Sequence, residues 1–299
     1  MNCPVCKGEV VDFTTHVPID RRSTEFVICN TCGLVFAKTM PDQQELDEYY
    51  STGKYREEVS GTSAVTAKNL KEEQARGMRM VFYLKRHLPR IKSHLDIGSS
   101  TGIFLACIYD AYNSKTTKSI GVEPGEVFRT FAGDRTKEAE EKLKIKLPQK
   151  FYASFDVVPK NLRFDLISVI QVLEHMIDPL SFLREMRSKL SPGGGHLLIE
   201  VPNLYGGNVS ALQWPHLWAL TSHSIQALLG AAGLDAVNIE TFGSLPPFYG
   251  APSSLMVLAR PRDAEREVPR NETMRQYNLY LQDRERIIAA GRGAGGQFG

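Results

Sequence analysis

The stretch HLDIGSSTGIF, His94 to Phe104, constrains the fold more than any other part of the chain. An apolar approach ends in Asp96, Gly98 makes a tight turn, and Gly102 opens an apolar run that reads as a helix. Strand, loop and helix in that order begin a doubly wound sheet, which binds ligands outside the carboxyl ends of its strands. The middle glycine of a dinucleotide fingerprint is missing, and Ser99, Ser100 and Thr101 fill the gap. Bare backbone therefore does not approach a pyrophosphate here, and no Gly-Lys-Ser or Gly-Lys-Thr follows to make a phosphate loop.

Four of the five cysteines fall in two knuckles, Cys3-Pro-Val-Cys6 and Cys29-Asn-Thr-Cys32, each followed closely by a glycine, Gly8 or Gly33. Two such pairs can surround one tetrahedral ion, the glycines letting the backbone turn so that amides reach the thiolates. Between the knuckles, EVVDF and TEFVI can pair as a hairpin. Disulfides are the alternative, disfavoured in a reducing compartment. Four thiolates leave no open position, so the zinc expected here is structural. Cys107, in GIFLACIY, stands apart and reads as a buried, inert thiol.

Beyond the opening loop the chain alternates apolar runs with helical patterns. Strands are read at SHLDIG, KSIGVEP, KFYAS, FDLISVI, GHLLIEV, DAVNIE and SSLMVLA. Only TFGSLPPFYGAP separates the last two, too short and too rich in proline for a helix, so an antiparallel hairpin is expected. The fold class is α/β: a Rossmann-like, doubly wound seven-stranded sheet with an antiparallel last strand, preceded by a small zinc ribbon.

At 299 residues and 42% hydrophobic content, the chain supports one large core with small additions. A formal charge of +2 argues against an electrostatic nucleic-acid binder. No apolar run approaches a membrane span, and the start lacks a secretory pattern, so a cytoplasmic protein is expected. The expected division is a zinc ribbon over 1–40, a linker over 41–67, the sheet domain over 68–261, and a helix with a disordered tail over 262–299. A helix from Lys68 to His87 opens the sheet domain and stops before Pro89. In the linker, Tyr49, Tyr50 and Tyr55 can form an aromatic lid or simply dock the segment.

A ligand without a phosphate fits the loop better. S-adenosylmethionine (SAM) carries an ammonium that Asp96 can attract and a carboxylate that suits amides at a helix start. Its ribose diol needs an acceptor at the end of the second strand, where Glu123 stands in IGVEPG. On these residues the stretch from Lys68 to Arg260 resembles a class I SAM-dependent methyltransferase. LDIGSSTG resembles that family's D-x-G-x-G-x-G loop, with Ser100 at the usual middle glycine, and GVEP resembles its ribose-binding strand end. FDLISVIQVLEHMIDP, LSPGGGHLLIEVPN and HLWALTSHSIQALLGAAGL resemble later segments of a branch that also carries an amino-terminal zinc ribbon. The resemblance implies a SAM-binding set of Asp96, Gly98, Ser99, Gly102 and Glu123, and an acceptor that is a sugar, a polysaccharide precursor or another secondary metabolite. Gln171, a further candidate cofactor contact, occupies a place where this branch often has histidine. Relatives that methylate sugar carbon carry a further large carboxy-terminal domain, so transfer to oxygen or nitrogen is expected.

Methyl transfer needs the acceptor held in line and water excluded, and a hydroxyl acceptor gains from a general base. His175 and His216 follow the fourth and fifth strands, with Glu174 beside the first; each can equally serve the fold through a turn or a packed ring. Asp156, after the third strand, can meet the adenine amino group or lie in solvent. Asn203 can meet the acceptor or brace a turn, and His223 serves the start of a helix. Three function classes follow: a methyltransferase for a small molecule or glycan, one for nucleic acid or protein that reads its target with the ribbon, and a non-catalytic SAM-binding adaptor. The small charge and the missing Asn-Pro-Pro-Tyr or Asp-Pro-Pro-Tyr motif disfavour the second, and the intact loop acids disfavour the third. Oligomeric state is not legible.

Overall fold

The computed structural model describes residues 1–16, 24–112, 117–204, 209–212, 214–243 and 252–262. The expected carboxy-terminal helix and tail, and the connection TFGSLPPFYGAP for the most part, lie outside the described residues. In chain order the strands are β1 (Val10–His16), β2 (Thr24–Cys29), β3 (Val35–Ala37), β4 (Ser93–Ile97), β5 (Lys118–Val122), β6 (Gln149–Tyr152), β7 (Leu166–Ile170), β8 (His196–Pro202), β9 (Trp218–Ala219), β10 (Leu234–Gly243) and β11 (Pro252–Pro261). The α-helices are α1 (Gln43–Ser51), α2 (Lys54–Ser60), α3 (Ala67–His87), α4 (Ile103–Ala111), α5 (Glu126–Leu143), α6 (Pro179–Lys189) and α7 (Ser222–Ala231).

Seven strands form one mixed sheet in the order β10-β11-β8-β7-β4-β5-β6. β4, β5, β6 and β7 run parallel, with Leu95 opposite both Ile120 and Ile167. β11 is antiparallel to β8 and to β10, which is the reversed last strand expected from the sequence. Strands β4, β5 and β7 are buried along nearly their whole length, as parallel strands covered on both faces must be, and this is why they read as continuous apolar runs.

The chain divides into two compact units. One comprises 41–169 and 189–196. Its long helix α3 starts on a capping box in which Thr66 accepts from the Asn69 amide, satisfying an N–H that the helix cannot. Close packing on α4 depends on Gly77, where an added Cβ would lie 2.9 Å from Cys107 Sγ. Cys107 is buried there, and burial pushes its thiol pKa up, in keeping with an inert core residue.

The other unit comprises 1–40, 170–188 and 197–299. The ribbon hairpin forms as expected, Val11 opposite Ile28, with an irregularity between Asp12 and Thr14. Its sheet does not stop at the hairpin. The order is β1-β2-β3-β9, with Phe36 opposite Trp218 and Val35 opposite Ala219, so a strand from 180 residues further along completes it. No helix among the described residues is long and apolar enough to cross a membrane.

Gly121 on β5 faces the loop after β4, and a Cβ there would meet Ser99 Oγ at 2.5 Å and Phe151 at 2.7 Å. Gly121→Ala should therefore overpack this contact and destabilise by about 1–3 kcal/mol, read as a lower midpoint in thermal unfolding. An unchanged midpoint would show that the packing yields.

Candidate active site

Two carboxylates are buried at the carboxyl ends of adjacent strands, Asp96 on β4 and Glu123 just beyond β5. Asp96 Oδ1 accepts the Ser168 hydroxyl at 2.5 Å. Burial pushes Asp96 up to about 7, helped by the charges of Glu73 and Glu123 and opposed by that hydroxyl. Glu123 takes two backbone amides, Ser100 N–H at 2.8 Å and Gly125 N–H at 2.9 Å. Burial raises its pKa too, while the amides and the Arg56 charge work the other way. Such a group of acids gains most from a ligand with net positive charge.

The loop between them is built for a close approach. Gly98 and Gly102 have φ of 75° and 71°, and Gly98 and Ser99 both donate backbone N–H to Val122 O, which stitches the loop to the next strand. The Ser99 hydroxyl is buried without a hydrogen bond among the described residues. Asp96, Gly98, Ser99, Gly102 and Glu123 thus lie together around this loop.

Ser100, at the position of the usual middle glycine, adopts φ 47°, a left-handed conformation unfavourable for a side chain. Its hydroxyl donates to Glu73 Oε1 at 2.8 Å and accepts from the Arg56 guanidinium at 2.8 Å. Thr101 donates to the other Glu73 oxygen. Arg56 in turn lies 4.4 Å over the Phe128 ring. Helices α2 and α3 are therefore fastened to the loop through a serine, a role that glycine cannot fill. Neither Arg56 nor Glu73 was legible as a site residue, because no local pattern links residues 44 and 27 positions away from the loop.

The linker tyrosines pack on one another, with ring centroids of Tyr50 and Tyr55 5.2 Å apart, and Tyr49 donates to Glu58 at 2.5 Å. Asp156 sits in a short 3-10 turn, Phe155–Val157, with its side chain exposed.

In the other unit, Gln171 leaves β7 at φ 53° and its N–H donates to Glu200 O at 2.8 Å. Glu174 and His175 follow in a 3-10 turn, and their side chains meet His216: the two imidazole centroids are 4.8 Å apart, and Glu174 Oε1 is 3.8 Å from His175 Nε2. All three are buried. His175 Nδ1 is paired with the Pro215 carbonyl at 3.2 Å, so Nδ1 carries the proton and Nε2 keeps its lone pair. Burial, then the charge of His216, holds its pKa well below the ordinary value, so the ring is neutral at pH 7. The three candidate catalytic residues are thus one cluster. Trp218 is structural: it is buried, stacks on Phe36 at 5.2 Å and donates to Met176 O at 2.7 Å. Asp178 accepts the Ser181 amide and starts α6.

The four knuckle cysteines also converge. Cys3 and Cys32 Sγ are 3.6 Å apart, Cys6 and Cys29 Sγ 3.4 Å, too far for disulfides and near the ~3.8 Å edge of a tetrahedron with 2.3 Å zinc–sulfur bonds. Thr31 and Cys32 N–H both donate to Cys29 Sγ, and Gly8 packs against Thr31 and Cys29. The residues fit a closed metal site.

Removing the Ser100 hydroxyl should free α2 while leaving the sheet intact. Amide exchange over Lys54–Ser60 in Ser100→Ala is expected to quicken by about fivefold, the equivalent of one ordinary hydrogen bond. Exchange at wild-type rates would mean that the contact does not hold the helix.

Residues 67–239 match the family described as methyltransferase domain. A sequence search of curated proteins finds no match. Among solved structures, magnesium protoporphyrin IX methyltransferase from Synechocystis PCC 6803, with S-adenosylhomocysteine bound, matches at a TM-score of 0.52 and 16% identity, over 74% of this chain and 100% of that one. The 1,6-didemethyltoxoflavin-N1-methyltransferase of Burkholderia thailandensis, also with S-adenosylhomocysteine, matches at 0.54 and 18% identity, over 77% and 96%. At these identities the likeness to the two structures is one of fold. The family match spans more than half of the chain, and with the loop acids in place the chain belongs to the methyltransferase domain family and is a SAM-dependent methyltransferase.

Proposed function

We propose that this chain methylates a hydroxyl or amine of a small molecule in the cytoplasm, with a sugar or glycan precursor as the acceptor class. The observation that carries the reading is the buried acid pair Asp96 and Glu123 at the ends of adjacent strands, with the Gly98–Gly102 loop between them. SAM bears an ammonium, a sulfonium and one carboxylate, so it brings a net positive charge to this acidic site. Asp96 would hold the ammonium and Glu123 the ribose hydroxyls, with Gly98, Ser99 and Gly102 lining the approach. Asp156 would meet the adenine amino group, and Gln171 is a further candidate contact to the cofactor. When bound, the sulfonium supplies an activated methyl group, so the protein must chiefly orient the acceptor and exclude water.

For a hydroxyl acceptor, His175 is the candidate base, because Pro215 fixes its tautomer with Nε2 as the accepting atom. His216 and Glu174 stand beside it and would orient it or receive the proton in its place. The sugar or glycan class rests on the resemblance to ribbon-bearing sugar methyltransferases, while neighbours whose named substrates are a porphyrin and a toxoflavin precursor support a small molecule and no more. The ribbon would hold one zinc through Cys3, Cys6, Cys29 and Cys32 as a structural site.

His175→Ala and His216→Ala, each assayed for SAM binding, melting temperature and rate against a panel of nucleotide sugars, separate catalysis from packing. Loss of the base should lower turnover by about a hundredfold or more at nearly constant SAM affinity. If both variants keep near-normal rates on an accepted substrate, the histidine-base mechanism is wrong.

Zinc should be present at one ion per chain, be lost in Cys29→Ser, and on removal by a chelator lower the melting temperature. Purified protein free of zinc at full stability would overturn the ribbon assignment.

A further inference from the structure

Asp96 does not stand alone beneath the loop. Strands β4 and β7 are parallel, with Asp96 opposite Ser168 and His94 opposite Leu166. Residues two apart on a strand share a face, so His94 and Asp96 point the same way, and Ser168 reaches both from the neighbouring strand. Ser168 Oγ lies 2.5 Å from Asp96 Oδ1 and 2.7 Å from His94 Nε2, against 3.4 Å from the Leu95 carbonyl. All three side chains are buried.

With a cationic ligand beside it Asp96 is ionised and only accepts, so the serine proton goes to Asp96 and the serine oxygen accepts from His94 Nε2–H. That fixes the direction of the whole chain: imidazole to hydroxyl to carboxylate. It also fixes the tautomer of His94, leaving Nδ1 as a bare lone pair that is buried without a partner among the described residues. Burial holds the imidazole neutral, pushing it down to about 3, and the Phe104 ring meets it edge to face at 5.3 Å. For packing alone, an apolar side chain in this core would avoid both the orphan nitrogen and the desolvated hydroxyl. The polar groups are explained by what they do to the acid at the end of the relay.

The geometry points to Ser168 and His94 as positioning residues that lock one oxygen of Asp96 and leave the other aimed at the ammonium of SAM. Charge-assisted hydrogen bonds of this kind are short and directional, and a carboxylate held from behind cannot turn away from its ligand. The inference rests on the reading of Asp96 as the ammonium partner.

The test compares two ligands by calorimetry on the full chain: SAM, and 5′-methylthioadenosine, which has the adenosine and the sulfur but neither ammonium nor carboxylate. Ser168→Ala should weaken SAM by about tenfold, as befits a lost hydrogen bond to a buried charge, and leave methylthioadenosine unchanged. Ser168→Thr, which keeps the hydroxyl, should restore SAM binding. His94→Leu should show the same selective loss at about threefold, and His94→Gln, which keeps a donor at the same reach, should not. Equal weakening of both ligands in Ser168→Ala would mean a purely structural role and overturn the assignment. Asp96→Asn separates the two levels: if it leaves SAM binding intact, the ammonium reading itself fails, whereas a strong effect there with none in Ser168→Ala defeats only the relay.

Discussion

Burying two acids at neighbouring strand ends is the constraint on which the cofactor half of this protein is organised. Each carboxylate loses hydration and meets like charge, Asp96 from Glu73 and Glu123 and Glu123 from Glu73, so both are pushed toward the neutral form. The fold answers with donors it can place rigidly: backbone amides of Ser100 and Gly125 for Glu123, and the Ser168 hydroxyl for Asp96. These offsets are incomplete for Asp96, which stays near 7, and a cationic ligand completes them. On the proposed reading, affinity and selectivity for a positively charged donor would come from the same unfavourable burial.

Ser100 shows how a departure from a motif acquires a use. A glycine at this left-handed position would cost nothing in backbone strain, and serine does. The hydroxyl returns that cost by joining Glu73 and Arg56, so the loop becomes a point of attachment for α2 and α3. Arg56 also moderates the charge of Glu123, and its stacking on Phe128 keeps it in place. The segment before the sheet is therefore attached to the loop proposed to hold the cofactor, as well as being a linker.

Much of the fold was legible because parallel strands buried on both faces read as plain apolar runs, and because a proline-rich gap too short for a helix forces a hairpin. The loop acids and the cysteine knuckles were legible for the same reason: their chemistry needs particular residues at fixed local spacing. What was not legible depends on distance along the chain. Strand β9 has two residues, too few for any periodicity, and is a strand only because β3 offers it an edge. Glu73 and Arg56 lie on ordinary charged helices. The relay was half visible, since His94 and Asp96 are two apart on a strand, but Ser168 joins them only through the register of β7.

The ribbon's place in its unit gives it a role beyond that of an appendage. Segment 215–219 is held from both sides. Toward the ribbon, Ala37 N–H donates to Leu217 O at 2.8 Å, β3 pairs with β9, and Phe36 stacks on Trp218. Toward the histidine turn, Leu217 N–H donates to Glu174 O, Trp218 Nε1 donates to Met176 O, and Pro215 O accepts from His175 Nδ1. The carbonyl that sets the tautomer of His175 therefore lies three residues before β9, the strand that pairs with β3 of the ribbon. A metal held by the four cysteines, as proposed, would brace β2 and β3 at one end of the hairpin, and β3 pairs with β9, which follows Pro215 and His216 in the chain. If the four cysteines hold an ion and His175 is the base, both as proposed, this chain of contacts links the two without either touching the other.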